Sequence, residues 1–177
     1  MERDQLEHVI KAAVDIVDDE VIVVRSQAVL GQFPDAPDSL LQSSEVDLYP
    51  RTQPDRADEI DGAIGEGSPF HESYHYYAHG VGPETSILPA GWEDRLVKLD
   101  LPAHKAGERA VGWCISASDV VLSKLAAGRP QDFEFAKNAI GAGLGDATQL
   151  ELGVDLMPAS HSARVRTNLA IVLARTS

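Results

Sequence analysis

The sequence lacks the cysteines, and the long apolar runs, that would place it among disulfide-bonded or membrane-spanning proteins. Its single cysteine, Cys114, cannot form a disulfide within the chain, and its apolar neighbours at 110–115 favour a buried thiol over a redox or catalytic one. No stretch approaches the roughly 18 apolar residues of a transmembrane helix, and the polar start of the chain does not resemble a secretion signal. We therefore expect a cytoplasmic protein with no membrane partner.

Positive charge is scarce in the first half of the chain. Residues 1–90 hold 5 Lys or Arg against 18 Asp or Glu, whereas residues 91–177 hold 10 of each, so the first half carries the whole net charge of -13. Such a field disfavours non-specific nucleic-acid binding, which depends on neutralising phosphates with basic side chains. An RNA substrate would need a local basic patch, and a small nucleotide accompanied by a cation is the easier partner.

Length and patterning predict the architecture. With 177 residues and 44% hydrophobic content, the chain can form one compact unit. Apolar spacing predicts an α+β fold with a mixed β-sheet of about four to five strands flanked by helices. We expect an α/β core over 1–115 and a helical C-terminal region over 116–177 packed on it. The strands are expected near 20–25, 44–50, 95–101 and 111–115.

The acidic strand at 44–50 is the main candidate site. Side chains alternate across a strand, so Glu45 and Asp47 share one face. Two adjacent carboxylates repel unless a cation or a proton intervenes, and this pair is therefore a candidate for a divalent metal site. The preceding strand leads to Ser26 at the start of a helix, where free amide groups can hold phosphate. The alternative is a charged, solvent-facing edge strand.

Two further charged side chains leave alternatives open. Lys124 lies in an apolar helical segment, where it either borders the core with its ammonium in water or holds a polyphosphate. Asp100 is explained by surface ion pairing, but it becomes a third carboxylate and a base if its strand lies beside the acidic strand.

Three histidines follow one another at intervals of four residues. On a helix, His71, His75 and His79 would share a face and could bind Zn²⁺. The same aromatic segment fits a strand equally well, and strand geometry would scatter the three. Packing and hydrogen bonding are then the simpler explanation.

Three segments in order resemble a known superfamily. They are Val24-Arg25-Ser26-Gln27, Glu45-Val46-Asp47-Leu48, and the run from Ser118 to Asp132 that holds D-x-x-x-x-K-L and R-x-x-D. Together they are similar to the nucleotidyltransferase superfamily, with the DNA polymerase β-like fold, and to its small bacterial branch that includes abortive-infection toxins. The resemblance covers residues 20–135 and depends on the order of the segments.

The resemblance implies a reaction and a set of site residues. The reaction is transfer of a nucleoside monophosphate from an NTP to an acceptor hydroxyl or phosphate, with Mg²⁺ as cofactor. Glu45 and Asp47 are the implied metal ligands and catalytic residues. Asp100 joins them as a catalytic base on the condition given above, that its strand lies beside theirs. The implied nucleotide-binding residues are Arg25, Ser26, Lys124, Arg129 and Asp132. A toxin–antitoxin or defence role adds RNA or a protein as acceptor and a cognate antitoxin as partner.

The chain departs from the superfamily pattern at the first segment. Arg25 stands where the superfamily usually has glycine, and either contacts phosphate or blocks the pocket. Glu45 replaces the commoner aspartate, and the interval of 19 residues from Ser26 to Glu45 exceeds the usual separation. The alternatives to an active enzyme are a catalytically weak relative that binds a nucleotide or a protein partner, and a purely structural dimer.

Overall fold

A computed structural model describes residues 1–105 and 107–176. In this part of the chain a five-stranded sheet is accompanied by eight α-helices and several short 3₁₀ turns. The strands are β1 (Val21–Val23), β2 (Glu45–Pro50), β3 (Tyr77–Gly80), β4 (Val97–Pro102) and β5 (Arg109–Cys114). The helices are α1 (Arg3–Val17), α2 (Val29–Gln32), α3 (Ala57–Ile64), α4 (Pro69–Tyr74), α5 (Ala117–Ala127), α6 (Pro130–Gly141), α7 (Ala147–Asp155) and α8 (Ala159–Thr176).

The sheet is mixed, with the strand order β3-β2-β1-β5-β4. Strand β1 runs parallel to β5 and antiparallel to β2, while β3 is parallel to β2 and β4 is antiparallel to β5. This arrangement confirms the expected α+β class and is consistent with the nucleotidyltransferase fold. The parallel pair β2 and β3 is joined through α3 and α4, as parallel strands require a long crossover.

One face of the sheet is covered by the first helices. The apolar stripe of α1 is fully buried, and Ile10 lies directly over Gly112, where an added Cβ would come within 2.7 Å of its side chain. Gly31 in α2 packs as closely on Cys114. That cysteine is buried, and burial raises the pKa of its thiol to about 12, which confirms the expected inert thiol.

The opposite face carries the acidic side chains. Leu48 and Val46 point to the core with Val23, so the alternation along β2 sends Glu45 and Asp47 to the other face. Beyond β5, helix α5 packs against α2 and against α6, α7 and α8. No helix in the described part of the chain is long and apolar enough to cross a membrane.

The start of α5 is fixed by a local polar network. Ser116 caps the helix by accepting a hydrogen bond from the Asp119 amide at 3.2 Å. The buried Asp119 carboxylate accepts two hydrogen bonds from Arg95, each 3.0 Å long. Ser116 and Arg95 thus hold Asp119 at the start of the helix.

Candidate functional site

The site begins with the pairing of β2 and β3. In this parallel pair Glu45 lies opposite Tyr77 and Asp47 lies opposite His79. Paired residues on neighbouring strands project from the same face, so the side chains of Glu45, Asp47, Tyr77 and His79 meet in one place, which we call the acidic patch. One ligand atom each from Glu45, Asp47 and His79 lies within 4.8 Å of the other two. The two carboxylates therefore converge as the alternation predicted, and an imidazole joins them.

Hydrogen bonds hold these side chains in place. His79 Nδ1 is 3.2 Å from Asp47 Oδ1 and 3.7 Å from Glu45 Oε1. The Tyr77 hydroxyl donates to Glu45 Oε2 at 3.2 Å. Burial, and after it the negative charge of Glu45, raises the pKa of Tyr77 to about 12, so its hydroxyl keeps its proton and remains a donor. Each carboxylate thus has one neighbour from β3.

Asp47 is the electrostatic centre of the patch. It is only 6% exposed, and burial raises the pKa of its carboxyl to about 6. The adjacent Glu45 charge adds to this effect, whereas Arg25 and His79 oppose it. A buried carboxylate beside another carboxylate is costly in the absence of a cation. Such perturbed groups concentrate at functional sites.

Arg25 supplies the cation closest to Asp47. Its Nη1 lies 3.0 Å from Asp47 Oδ1 and 4.0 Å from Glu45 Oε1. The backbone of Arg25 has φ 58° and ψ -153°, a conformation that is essentially restricted to glycine. Hydrogen bonds fix the chain on both sides: the Val24 amide donates to Asp47 O at 2.9 Å, and the Ala28 amide donates to Arg25 O at 3.2 Å. The glycine-type turn is therefore retained although the residue is arginine.

A cavity of about 250 Å³ adjoins Arg25. It is lined by three cationic and three hydroxyl side chains together with aliphatic ones: Arg25, Thr85, Ser86, Ile87, Val120, Ser123, Lys124, Ala127 and Arg129. Ser86 is 8% exposed, and its Oγ has no hydrogen-bond partner among the residues that the structure describes. Buried hydroxyls are rarely left unpaired, so this atom is available to a ligand. The lining suits a polyanion.

Lys124 and Arg129 are held at the cavity by a buried carboxylate. Lys124 Nζ is 3.6 Å from Asp132 Oδ1, and the Arg129 guanidinium donates two hydrogen bonds to the Asp132 carboxylate, of 2.8 and 3.2 Å. Burial lowers the pKa of Lys124, with Asp132 opposing this effect. Burial alone would raise the pKa of Asp132, but hydrogen bonds from Arg129 outweigh it and hold the pKa below its ordinary value. Asp132 itself is fully buried and does not line the cavity.

Ser26 opens a helical turn as expected, whereas Asp100 lies away from the two carboxylates of β2. Ser26 directly follows Arg25, is half-buried, and opens a three-residue 3₁₀ turn, but it does not line the cavity. Asp100 shares the sheet face of Asp47, but β1 and β5 separate its strand from β2. The strand of Asp100 is therefore not beside the acidic strand, and the condition for Asp100 to act as a third carboxylate and base is not met. At about 4.8 Å per strand, the separation is roughly 14 Å.

Asp100 is instead engaged in surface ion pairs. Arg109 Nε lies 2.6 Å from Asp100 Oδ1, and Lys98 Nζ lies 3.3 Å from its other carboxylate oxygen. Both pairings form on or between β4 and β5. This placement corresponds to the surface interpretation and does not bring Asp100 to the patch as a base.

The three histidines do not form a zinc site. His71 lies in the short helix α4, His75 ends it in a left-handed conformation with φ 62°, and His79 lies on β3. Only His79 joins the carboxylates, as a neighbour that sequence spacing did not reveal. The signal that could have revealed it is the alternation of Tyr77 and His79 on a strand beside Glu45 and Asp47.

One of three comparisons with known proteins gave a match. A family model described as a nucleotidyltransferase of unknown function (DUF6036) matches residues 4–158, which is most of the chain. The chain belongs to this nucleotidyltransferase family. Neither the curated proteins nor the solved structures gave a match. The matched residues include the acidic patch, Arg25 and the whole cavity lining, so the site lies within the part of the chain that defines the family.

Proposed function

We propose that this protein transfers a nucleoside monophosphate from an NTP to an acceptor, with the triphosphate in the cavity and a divalent cation on Glu45 and Asp47. One observation carries the proposal: Arg25 contacts Asp47 at 3.0 Å and also lines the cationic cavity. The acidic patch and the cavity are therefore adjacent parts of one site. A nucleotidyltransferase needs carboxylates for a cation beside cations for phosphates.

The cavity supports the phosphate half of the proposal. Lys124 is largely buried, so its ammonium is weakly screened and would interact strongly with a phosphate oxygen. Arg129 adds a second cation, and Asp132 holds both of them in position. Ser86 Oγ offers a hydrogen bond that is not used within the described chain. These groups would neutralise the leaving pyrophosphate.

The acidic patch supports the metal half. The carboxylate and imidazole atoms lie within 4.8 Å of one another, a spacing that one cation can bridge after small side-chain rotations. The sequence resemblance names Mg²⁺ as that cation. When bound, a divalent cation polarises phosphoryl oxygens and stabilises developing charge. It would also counter the burial and the adjacent Glu45 charge, which raise the pKa of Asp47.

The proposed reaction is an in-line displacement. An oxygen of the acceptor hydroxyl or phosphate forms a bond to the α-phosphorus of the NTP. The bond from that phosphorus to the α,β-bridging oxygen breaks, and pyrophosphate leaves with the electron pair. A proton on an attacking hydroxyl passes to water. Arg25 has two anionic partners within reach in this scheme: the Asp47 carboxylate in the free protein and a phosphate in the cavity.

A labelled-nucleotide assay tests this proposal. The protein is incubated with each α-³²P-labelled NTP, with Mg²⁺ or Mn²⁺, and with total RNA or a protein extract as acceptor. We expect label in an acceptor with the native protein and loss of transfer with Glu45→Ala and Asp47→Ala. Asp100→Ala is the matched control, because it removes an aspartate from the same sheet face on β4, three strands away from β2, and should retain transfer.

Two results would decide against an active enzyme. Nucleotide binding without label transfer would favour the alternative of a catalytically weak relative that binds a nucleotide or a protein partner. Absence of both binding and transfer would leave only a structural role. Equal transfer by the native protein and Asp47→Ala would contradict the site assignment itself.

We extend the proposal to a toxin–antitoxin or defence role because the three sequence segments, in their order along the chain, resemble those of abortive-infection nucleotidyltransferases. The net charge of -13 disfavours non-specific RNA binding, so an RNA acceptor would have to approach a local basic patch in the second half of the chain, whose net charge is zero. Induced expression of the native protein should arrest bacterial growth, and Asp47→Ala should abolish the arrest. Rescue by a neighbouring gene would identify a cognate antitoxin, whereas normal growth with the native protein would oppose a toxin role.

A further inference from the structure

We propose that His79 is the third protein ligand of the metal site, and that the site therefore prefers a first-row transition-metal dication, represented by Mn²⁺, to Mg²⁺. This inference rests on the proposed function only in placing a cation on Glu45 and Asp47. It adds a ligand that lies outside the three sequence segments on which the nucleotidyltransferase resemblance rests. It also changes the chemical class of the expected cofactor.

Strand register places His79 at the site. Asp47 and His79 are directly paired across β2 and β3, and their side chains leave the sheet on the same face. The position of β3 is tightly determined, because a Cβ on Gly80 would lie 2.1 Å from the Ala57 carbonyl oxygen. The close contact of β3 with α3 leaves little freedom for the strand to move. The imidazole is therefore presented to Asp47 by rigid elements, as a metal ligand should be.

The observed spacing fits shared coordination. In an octahedral site with bonds of about 2.1 Å, ligand atoms lie roughly 3 to 4.2 Å apart. His79 Nδ1 lies 3.2 Å from Asp47 Oδ1 and 3.7 Å from Glu45 Oε1, and both distances fall within this range. The same Nδ1 faces both carboxylates, so one cation could bind to all three side chains.

The donor set determines the preference. Mg²⁺ favours oxygen ligands and retains its water, whereas imidazole nitrogen suits transition-metal ions. Mn²⁺ accepts carboxylate oxygen and also binds imidazole, so two carboxylates with one histidine favour it over Mg²⁺. An aspartate in place of His79 would make an all-oxygen site and should shift the preference toward Mg²⁺.

The surroundings independently indicate a ligand here. Arg25 contacts the same Asp47 Oδ1 as His79, so a bound cation would displace its guanidinium. The adjoining cavity offers a place for the displaced group, because Arg25 already lines it. That cavity also contains the buried Ser86 hydroxyl, which lacks a partner among the described residues. A metal–nucleotide complex would satisfy both observations.

Direct metal titration tests the inference without any turnover. Binding of Mn²⁺ alone and Mg²⁺ alone is measured by calorimetry on the full chain, in the native protein and in His79→Ala, His79→Asp and His161→Ala. His161 is the control because it lies on α8, outside the patch. Electron spin echo envelope modulation of bound Mn²⁺ then reports any directly coordinated imidazole nitrogen. Circular dichroism confirms that each variant is folded.

We expect the native protein to bind Mn²⁺ about tenfold or more tightly than Mg²⁺. His79→Ala should lose most of this preference, His79→Asp should favour Mg²⁺, and His161→Ala should match the native protein. The nitrogen coupling should be present in the native protein and absent in His79→Asp.

The possible failures can be distinguished. If Mn²⁺ binding depends on Glu45 and Asp47 but shows no nitrogen coupling, the inference is overturned and the proposed function stands. If the native protein binds neither metal, or binds it equally after Glu45→Ala and Asp47→Ala, the metal site of the proposed function fails as well. Because the spectroscopic test uses native protein, it does not depend on any variant folding.

Discussion

The Arg25 guanidinium lies 3.0 Å from Asp47 Oδ1, on a backbone with the φ and ψ angles of a glycine. The contact joins the end of β1 to the centre of the acidic patch. It gives the buried Asp47 carboxylate a counter-charge in the free protein and also places a cation at the edge of the phosphate-sized cavity. Of the two roles considered for this arginine, phosphate contact agrees with its position on the cavity wall.

The backbone of Arg25 should store conformational strain. Glycine adopts this conformation freely, whereas other residues pay about 1 to 3 kcal/mol. We expect Arg25→Gly to be more stable than Arg25→Ala by about 1 kcal/mol or more in urea unfolding, because both remove the ion pair and only glycine relieves the strain. Equal stability of the two variants would show that the turn is not strained.

The stability of the metal-free protein should fall as pH rises through 6. The pKa of Asp47 is about 6 in the folded protein and near 4 in an unfolded chain, so the folded state binds the proton more tightly. The resulting stabilisation is full below pH 4 and disappears above pH 6. Asp47→Asn mimics the protonated carboxyl and should exceed the native protein by about 2 to 3 kcal/mol at pH 8.

The difference in stability between Asp47→Asn and the native protein should vanish near pH 4, where the native carboxyl is also protonated. Unfolding by urea at pH 4, 6 and 8 in the presence of a chelator measures it. If Asp47→Asn is less stable than the native protein at pH 8, Arg25 and His79 fully offset the free-energy cost of burying the Asp47 charge.

Asp132 should show the opposite pH dependence. Its pKa lies below the ordinary value, so its contribution to stability is present at neutral pH and is lost on acidification through the lowered pKa. Asp132→Asn should therefore be destabilised at pH 7, with a smaller difference from the native protein toward pH 3. The same unfolding series measures it, and a constant difference at all pH values would contradict this assignment.

Lys124 should contribute directly to nucleotide affinity. Its ammonium is largely buried at the cavity wall, and a charged hydrogen bond to phosphate is worth about 1.5 to 3 kcal/mol. We expect Lys124→Ala to weaken NTP binding by about tenfold or more. Lys137→Ala, on the exposed side of the adjacent helix α6, should bind like the native protein. Similar affinities in all three proteins would exclude the cavity as the phosphate site.

Local patterning was sufficient to predict most of the fold. The strands expected near 20–25, 44–50, 95–101 and 111–115 follow from patterns of a few residues, and the structure has β1, β2, β4 and β5 at these places. The short strand β3 was not assigned, because residues 69–82 fit a helix as well as a strand. What makes this segment a strand is its pairing with β2, a distant contact that local sequence does not encode.

The same dependence on distant strand pairing explains which site residues the sequence could predict. Glu45 and Asp47 could be found because two neighbours on one strand face necessarily converge. His79 and Asp100 each lie on a different strand, and the order of the strands in the sheet decides which side chains lie beside them. Sheet topology brings His79 to Asp47 and carries Asp100 to the far edge. The glycine-type backbone of Arg25 was foreshadowed by its position in the first segment, but its contact with Asp47 required the fold.

The most direct test of the account is the affinity for NTP measured by calorimetry with and without a divalent cation. If the acidic patch and the cavity form one site, cation and nucleotide must each raise the affinity for the other. We expect Mn²⁺ or Mg²⁺ to tighten NTP binding at least about fivefold in the native protein and not at all in the Glu45→Ala, Asp47→Ala double variant. NTP affinity that is independent of the cation in the native protein would contradict the account.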